Sequence, residues 1–134
     1  MLDFSGEWIL DRRACALSPG ADAMQSAVVQ IAHNDPKFRY KATFTSESGP
    51  LNYEYELLSD GKEVMNTQQG TTVVSSLRWD GDALVTVWHV QRPDGELKIS
   101  FRYELIDAGR RLRAVEELRG SDRHQDNTWI FDRK

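Results

Sequence analysis

Turn-forming residues recur along this chain with a spacing of about 10 to 14 residues, which is the rhythm of strands connected by hairpins. Gly supplies backbone with positive φ, and Asn, Asp and Ser cap tight turns with their side chains. Such clusters occur at residues 34–36, 48–50, 59–61, 80–82, 93–95, 107–109 and 120–122. This spacing predicts an all-β protein built as a meander.

Apolar and polar residues alternate between these turns, as they do in strands that bury one face. Phe38, Tyr40 and Phe44 share one face of the segment 37–46, whose other face carries lysine and arginine. The alternation predicts strands at residues 5–11, 27–33, 37–46, 51–58, 62–69, 71–79, 83–92, 96–106, 111–119 and 124–133. In the fourth strand it places Leu51, Tyr53, Tyr55 and Leu57 on the buried face.

Short strands with one apolar face each do not form a flat open sheet, because twist accumulates and the edges stay exposed. Closure or a sandwich is therefore expected, and an up-and-down barrel joined by hairpins is the simplest closure. The sequence therefore predicts one domain, residues 1–134, folded as an antiparallel up-and-down β-barrel of about 8–10 strands. Residues 12–26 lack alternation, and they predict either an irregular loop or a lid with a short helix at 21–26.

Composition and sequence pattern argue against several kinds of partner, cross-link and membrane attachment. The net charge of −4 argues against nucleic acid, because phosphate contacts need clustered Lys and Arg. Cys15 is the single cysteine, so neither an intramolecular disulfide nor a cysteine zinc site can form. No apolar run approaches the roughly 20 residues of a membrane-spanning helix. No signal sequence is visible, so we expect a cytoplasmic protein without a membrane span, unless a signal peptide has been removed.

Gly6-x-Trp8 in the first strand and Arg133 at the end of the last resemble a pattern of the calycin superfamily, that is, lipocalins and intracellular fatty-acid-binding proteins. In that superfamily the Trp plugs the closed end of the barrel, and a basic side chain of the last strand packs across it. The resemblance implies these roles for Trp8 and Arg133. The segments WDGDALVTVWHV, DGELKISFRYEL, GRRLRAVEELRG and TWIFDRK are similar in layout to the C-terminal half of the fatty-acid-binding branch.

The sequence departs from that branch where a ligand carboxylate would be bound. The fatty-acid-binding branch usually carries Arg-x-Tyr on the last strand, and those positions fall on Trp129 and Phe131 here. The segment 12–26 is also too short for the helix-turn-helix portal of that branch. The resemblance therefore implies an aromatic or neutral apolar ligand in place of a long-chain fatty acid.

A ten-stranded barrel is wide enough to enclose a ligand cavity. We predict its lining from the inward-facing residues, which are mainly aromatic and offer flat apolar walls. The predicted ligand-binding residues are Phe38, Tyr40, Phe44, Tyr53, Tyr55, Trp88, Phe101, Tyr103, Glu116 and Trp129. The alternative is that these aromatic residues pack on one another as an ordinary core.

Glu116 is the inward-facing carboxylate of the segment 111–119, where its neighbours on the same face are Leu112, Ala114 and Leu118. A buried carboxylate requires a hydrogen-bond partner. Such a group can bind a polar part of a ligand or act as a general base, with Tyr53 or Tyr55 as the other catalytic residue. The alternative is that Glu116 lies near a barrel end and pairs with an arginine.

The three histidines give no metal-site signal. His33, His89 and His124 lie on separate predicted strands and lack the spacing of metal ligands, so we predict no metal and no cofactor. The alternation does not decide which face His33 and His89 occupy.

Three functions remain open from the sequence. The first is a binding module, monomeric or dimeric, that sequesters or carries a small hydrophobic, aromatic molecule. The second is a cofactor-independent lyase, isomerase or hydrolase that uses Glu116 as base. The third is a ligand-free structural barrel filled by its own aromatic side chains. A barrel of this kind supports all three, because fold does not decide function.

Overall fold

Antiparallel strands make up most of the chain in the computed structural model, which describes residues 2–68 and 70–134. The strands are β1 (Gly6–Leu10), β2 (Ser26–Asn34), β3 (Lys37–Ser46), β4 (Gly49–Leu58), β5 (Val64–Gln68), β6 (Thr71–Asp80), β7 (Ala83–Arg92), β8 (Gly95–Ile106), β9 (Arg111–Arg119) and β10 (His124–Arg133). Short 3-10 turns occur at Arg12–Ala14, Ala21–Ala23 and Asp107–Gly109. No helix within the described ranges is long and apolar enough to cross a membrane.

All ten strands belong to one curled sheet, in the order β4-β3-β2-β1-β10-β9-β8-β7-β6-β5. Apart from β4 and β5, strands that follow one another in the chain pair side by side, and β1 also pairs with β10, which brings the first and last strands together. In the described residues β4 and β5 are the two edges of the sheet, and the curl brings β4 into contact with β6. The predicted all-β, calycin-like barrel is confirmed, with an open seam between β4 and β5.

The alternation that predicts the strands also sets their inward faces. Along β2, exposed and buried residues alternate without a break, and Ala27, Val29 and Ile31 face the core. In β3, Phe38 and Tyr40 continue the same inward row. Because successive side chains of a strand point to opposite sides, this regular burial leaves the polar residues outside.

Burial in β4 differs from the sequence prediction near the mouth of the barrel. Leu57 is buried as expected, but Leu51 and Tyr53 are 46% and 50% exposed. The prediction that both are buried is therefore wrong. Their strand is hydrogen-bonded only to β3 in the described residues, and the open seam leaves its other side without a paired strand.

The fifth strand is shorter than predicted. It begins at Val64 instead of residue 62, and its first residues, Val64 and Met65, are exposed. Gln69, where the predicted strand ends, lies outside the described residues. Edge position explains the exposure, because β5 has only β6 as a partner.

The closed end of the barrel, here called the floor, is built around Trp8. Its side chain is fully buried, and its Nε1 donates a hydrogen bond to the carbonyl oxygen of Phe4 (3.1 Å). The Arg133 guanidinium lies 4.2 Å from the centre of the Trp8 ring and donates to the carbonyl oxygen of Ser5 (2.7 Å). A Cβ on Gly6, whose φ is +146°, would approach Arg133 Nη1 to 2.7 Å. The roles implied for Trp8 and Arg133 are confirmed.

A group of four polar and aromatic side chains, here called the floor latch, joins the ends of three strands. Asp35 Oδ1 accepts hydrogen bonds from Ser59 Oγ (2.8 Å) and Trp79 Nε1 (2.9 Å). His33 is buried and completes the latch. Because His33 Nδ1 accepts the backbone N–H of Phe4 (3.1 Å), its Nε2 carries the proton that faces Asp35 Oδ1 (3.3 Å).

The cap segment, residues 11–25, follows β1 and runs along β10. The backbone N–H of Asp11 donates to Ile130, and Ala16 and Thr128 exchange two backbone hydrogen bonds (2.9 and 2.8 Å). At its end, the backbone N–H of Gln25 donates to the carbonyl oxygen of Thr45 on β3. The segment is therefore held at both ends by the sheet.

The cap segment contains less helix than the sequence predicts. The expected helix at 21–26 is a single 3-10 turn, Ala21–Ala23, because Met24 is already extended and β2 begins at Ser26. Arg12 holds this turn in place: its guanidinium donates to the carbonyl oxygen of Met24 (2.9 Å) and forms an ion pair with Asp22.

Candidate functional site

A cavity of about 520 Å³ lies inside the barrel beneath the cap segment. This volume is within the usual range for small-molecule sites. The cap contributes Gly20, Ala21 and Met24 to the cavity wall. The strands contribute Tyr40, Phe44, Tyr53, Glu54, Tyr55, Trp88, Ile99, Phe101, Tyr103, Glu116, Leu118, Gln125, Asn127 and Trp129. Nine of the ten predicted ligand-binding residues therefore line one cavity.

Phe38 is the predicted residue that does not reach the cavity. Its side chain is fully buried, and its ring centre lies 6.2 Å from that of Tyr55 and 6.1 Å from that of Tyr103. His33 packs against its other side with ring centres 5.6 Å apart. Phe38 therefore belongs to the core between the cavity and the floor.

The cavity walls are rows of aromatic rings that contact one another. Tyr40 stacks on Tyr55, and Trp88 meets Tyr55 edge to face, each with ring centres 4.9 Å apart. On β8, Phe101 and Tyr103 stack with ring centres 5.8 Å apart. These contacts fix the rings without filling the interior, so the aromatic side chains form part of the core and also enclose a cavity.

The tyrosine hydroxyls add polar atoms deep in this apolar space. The hydroxyl oxygens of Tyr55 and Tyr103 lie 3.4 Å apart. Burial raises the pKa of Tyr40, Tyr55 and Tyr103 above the ordinary tyrosine value. These three phenols therefore stay neutral at physiological pH and retain their protons as hydrogen-bond donors.

Glu116 lies in the cavity wall on β9, directly opposite Phe101 on β8 and Asn127 on β10. Its Oε1 accepts two hydrogen bonds, from Asn127 Nδ2 and from Trp129 Nε1, each 3.0 Å long. The alternative that Glu116 pairs with an arginine is wrong within the described residues, where its hydrogen-bond partners are neutral.

Asn127 connects this carboxylate to the cap segment. The residue is 3% exposed, and its Oδ1 accepts hydrogen bonds from the backbone N–H (2.7 Å) and the hydroxyl (2.9 Å) of Ser18. Asn127 is not among the residues predicted for the site from the sequence. Alternation along β10 places it on the inward face with Trp129 and Phe131, and its position opposite Glu116 marks it as that residue's partner.

The predicted catalytic pair is not assembled in the described part of the chain. Tyr55 bonds with Tyr103, Tyr53 is half exposed at the cavity mouth, and no hydrogen bond joins either tyrosine to Glu116 in the described ranges. His89 pairs with Glu96 through its Nδ1 (2.6 Å) on the outer surface. Within residues 2–68 and 70–134, no group of three or more side chains is placed to hold a metal ion.

The curled ten-stranded sheet and its internal cavity define a calycin-like barrel. No protein family profile matches the chain, and no curated protein matches its sequence. Solved structures do share the fold. Zebrafish ileal bile acid-binding protein complexed with cholic acid has a TM-score of 0.60 and 14% sequence identity, over 98% of each chain.

Two further solved structures show the range of proteins built on this fold. A Schistosoma mansoni fatty acid binding protein in complex with arachidonic acid matches with a TM-score of 0.54 and 14% identity, over 98% of this chain and 96% of its own. A secretory abundant heat soluble protein of Ramazzottius varieornatus matches with a TM-score of 0.65 and 12% identity, over 97% and 94%. At such low identities the likeness establishes the fold alone.

Proposed function

We propose that this protein binds a small hydrophobic molecule with aromatic character in the cavity beneath the cap segment. The observation that carries the proposal is the cavity itself, about 520 Å³ and lined by eight aromatic side chains. A barrel filled by its own side chains would not leave this space. The bile acid and the fatty acid bound by two structural neighbours support the same general use of the fold.

Aromatic selectivity follows from the shape and chemistry of the walls. Tyr55 and Trp88 meet edge to face, so a flat ligand ring finds both ring faces and ring edges to pack against. A flexible alkyl chain gains the same burial but loses rotamer freedom when it is confined. We therefore expect a naphthalene-based alcohol to bind more tightly than a linear alcohol of similar carbon number.

Isothermal titration calorimetry with 2-(2-naphthyl)ethanol and 1-dodecanol tests this function. Leu118→Trp places an indole ring in the cavity wall and should weaken binding, since it takes up part of the space that a ligand needs. Val115→Trp is the matched control, because Val115 lies on the same strand and on the opposite face. Absence of binding to the unmodified protein, or equal binding by the Leu118→Trp variant, would contradict the proposal.

A further inference from the structure

The charged residues that line the cavity in the described part of the chain are all acidic. Among the described residues that line the cavity, none is lysine, arginine or histidine, and two are glutamates. Glu54 is exposed at the mouth and lies opposite Lys41 on β3. Glu116 is the carboxylate that lies within the wall, among aromatic and amide side chains. An anionic ligand group would therefore meet negative charge and no compensating cation.

One carboxylate oxygen of Glu116 is hydrogen-bonded within the protein, and the other can still accept a hydrogen bond. Asn127 and Trp129 both donate to Oε1, and this pair of bonds fixes the orientation of the carboxylate. Within the described ranges Oε2 accepts no hydrogen bond. It is also not fully buried, because the fully buried side-chain polar atom without a partner in these ranges is Arg92 Nε. Because Glu116 lines the cavity, Oε2 is open to a donor that enters there.

Aromatic side chains lie beside this carboxylate in the cavity wall. Phe101 is its direct cross-strand neighbour, and Trp129 donates to it. Phe44 meets Trp129 edge to face, with ring centres 5.2 Å apart. The negative face of an aromatic ring attracts an organic cation, and the attraction increases when water is excluded. A carboxylate and adjacent aromatic rings together form a site for an ammonium group on an apolar body.

We propose that the molecule bound in this cavity carries a protonated amine, whose N–H donates to Oε2 of Glu116 while its hydrophobic part lies against the aromatic walls. This inference rests on the proposed function and specifies the chemical class of the ligand. It assigns Glu116 a role in ligand recognition. Asn127 and Trp129 are positioning residues, because they act on the ligand through the orientation of the carboxylate.

Three probes with the same ring system separate this inference from the function on which it rests. They are 2-(2-naphthyl)ethylamine, 2-(2-naphthyl)ethanol and 2-naphthylacetic acid, which differ in the polar end. Calorimetric titration at neutral pH should give an affinity for the amine at least about tenfold above that for the acid, since hydrogen bonds to charged groups have this strength. The alcohol should lie between them.

Glu116→Gln should remove the preference for the amine over the alcohol, because a neutral amide does not attract a cation more strongly than a neutral hydroxyl. Retained alcohol binding also shows that the variant barrel is folded. Glu117→Gln is the matched control, because it removes the same charge at the neighbouring position. The Glu117 side chain is exposed on the outer face of the barrel. This control should retain the amine preference, since its carboxylate lies outside the cavity.

Each outcome bears on one of the two proposals. If the acid binds as tightly as the amine, the amine inference is wrong while cavity binding stands. If Glu116→Gln and Glu117→Gln reduce amine binding equally, general surface charge explains the preference and Glu116 has no special role. If none of the three probes binds, the proposed function fails for aromatic molecules of this size, and the inference fails with it.

Discussion

Asn127 makes hydrogen bonds through both ends of its side-chain amide, and this makes it a link between two parts of the molecule. Its oxygen accepts two hydrogen bonds from Ser18 of the cap segment, and its nitrogen donates to Glu116 in the cavity wall. A buried amide with these partners satisfies two donors of Ser18 and one acceptor site of Glu116. One residue therefore contributes both to the position of the cap and to the orientation of the carboxylate.

Asn127→Leu should destabilise the protein by about 1 to 3 kcal/mol, because it leaves the donors of Ser18 and one acceptor site of Glu116 unsatisfied at nearly constant volume. Chemical denaturation monitored by circular dichroism measures the change in the free energy of unfolding. Asn66→Leu, at an exposed position of β5, is the control and should change that free energy little. Equal effects of the two substitutions would show that the hydrogen bonds of Asn127 contribute nothing.

At the scale of the strands, the open seam leaves β4 and β5 unpaired with each other, and the floor latch joins the two sides. Trp79 belongs to β6, while Asp35 lies in the turn between β2 and β3, so their hydrogen bond crosses from one side of the seam to the other. Backbone hydrogen bonds from Ser59 to Pro36 and from Gly61 to Leu77 reinforce the same corner.

The floor latch should make stability depend on acid pH. Burial opposes ionisation of Asp35, but hydrogen bonds from Ser59, Trp79 and His33 outweigh it, so the pKa of Asp35 is lowered. A lowered pKa in the folded state means that the carboxylate stabilises the fold above the unfolded value of 3.8. This contribution is lost as the pH falls from there through the folded pKa.

Asp35→Asn should therefore cost about 1 kcal/mol at neutral pH, and the difference from the unmodified protein should shrink below the unfolded carboxyl pKa. Denaturation curves at a series of acid pH values measure this. Asp122→Asn, an exposed aspartate in the turn before β10, serves as the control. A difference between Asp35→Asn and the unmodified protein that stays constant with pH would refute the role of the Asp35 charge.

Strand positions could be predicted from the sequence because alternation and turn residues are local signals. The exposure of Leu51 and Tyr53 could not, since it depends on whether the far side of β4 has a partner. Sheet closure is a property of the whole chain, and the pattern of one strand carries no information about it. The hydrogen bonds of the cap segment could not be predicted either, because their partners lie on β10 and β3, far away in the sequence or on another strand.

The candidate site was predicted in outline from the inward faces, and its internal contacts were not. Alternation selected Glu116 and the aromatic walls. It could not show that Trp129, which lies diagonally opposite Glu116 on the paired strand β10, donates a hydrogen bond to that carboxylate. It also placed Phe38 at the cavity, because inward direction alone does not tell how deep along the barrel the cavity extends.

For the molecule as a whole, the tyrosines of the interior link alkaline pH to unfolding. The folded barrel raises the pKa of Tyr40, Tyr55 and Tyr103 through burial. A raised pKa favours the neutral phenol in the fold. The resulting stability is fully present below the unfolded tyrosine value of 10.0 and is lost as the pH rises above it through the folded pKa.

In an alkaline titration, the tyrosinate absorbance of these three residues should appear together with unfolding, as followed by far-ultraviolet circular dichroism. Tyr55→Phe should lower the absorbance change of that step by one tyrosine, because it removes one of the three buried phenols. Ionisation of all the tyrosines before any loss of secondary structure would show that the interior phenols are accessible to water.

The four tryptophans form two pairs in different parts of the molecule, and the fluorescence of each pair reports on its own surroundings. Trp8 and Trp79 belong to the floor, while Trp88 and Trp129 line the cavity. A molecule that enters the cavity changes the surroundings of the second pair directly and leaves the first pair in place. The intrinsic emission of the protein thus contains one signal for occupancy and another for the integrity of the closed end, without an attached dye.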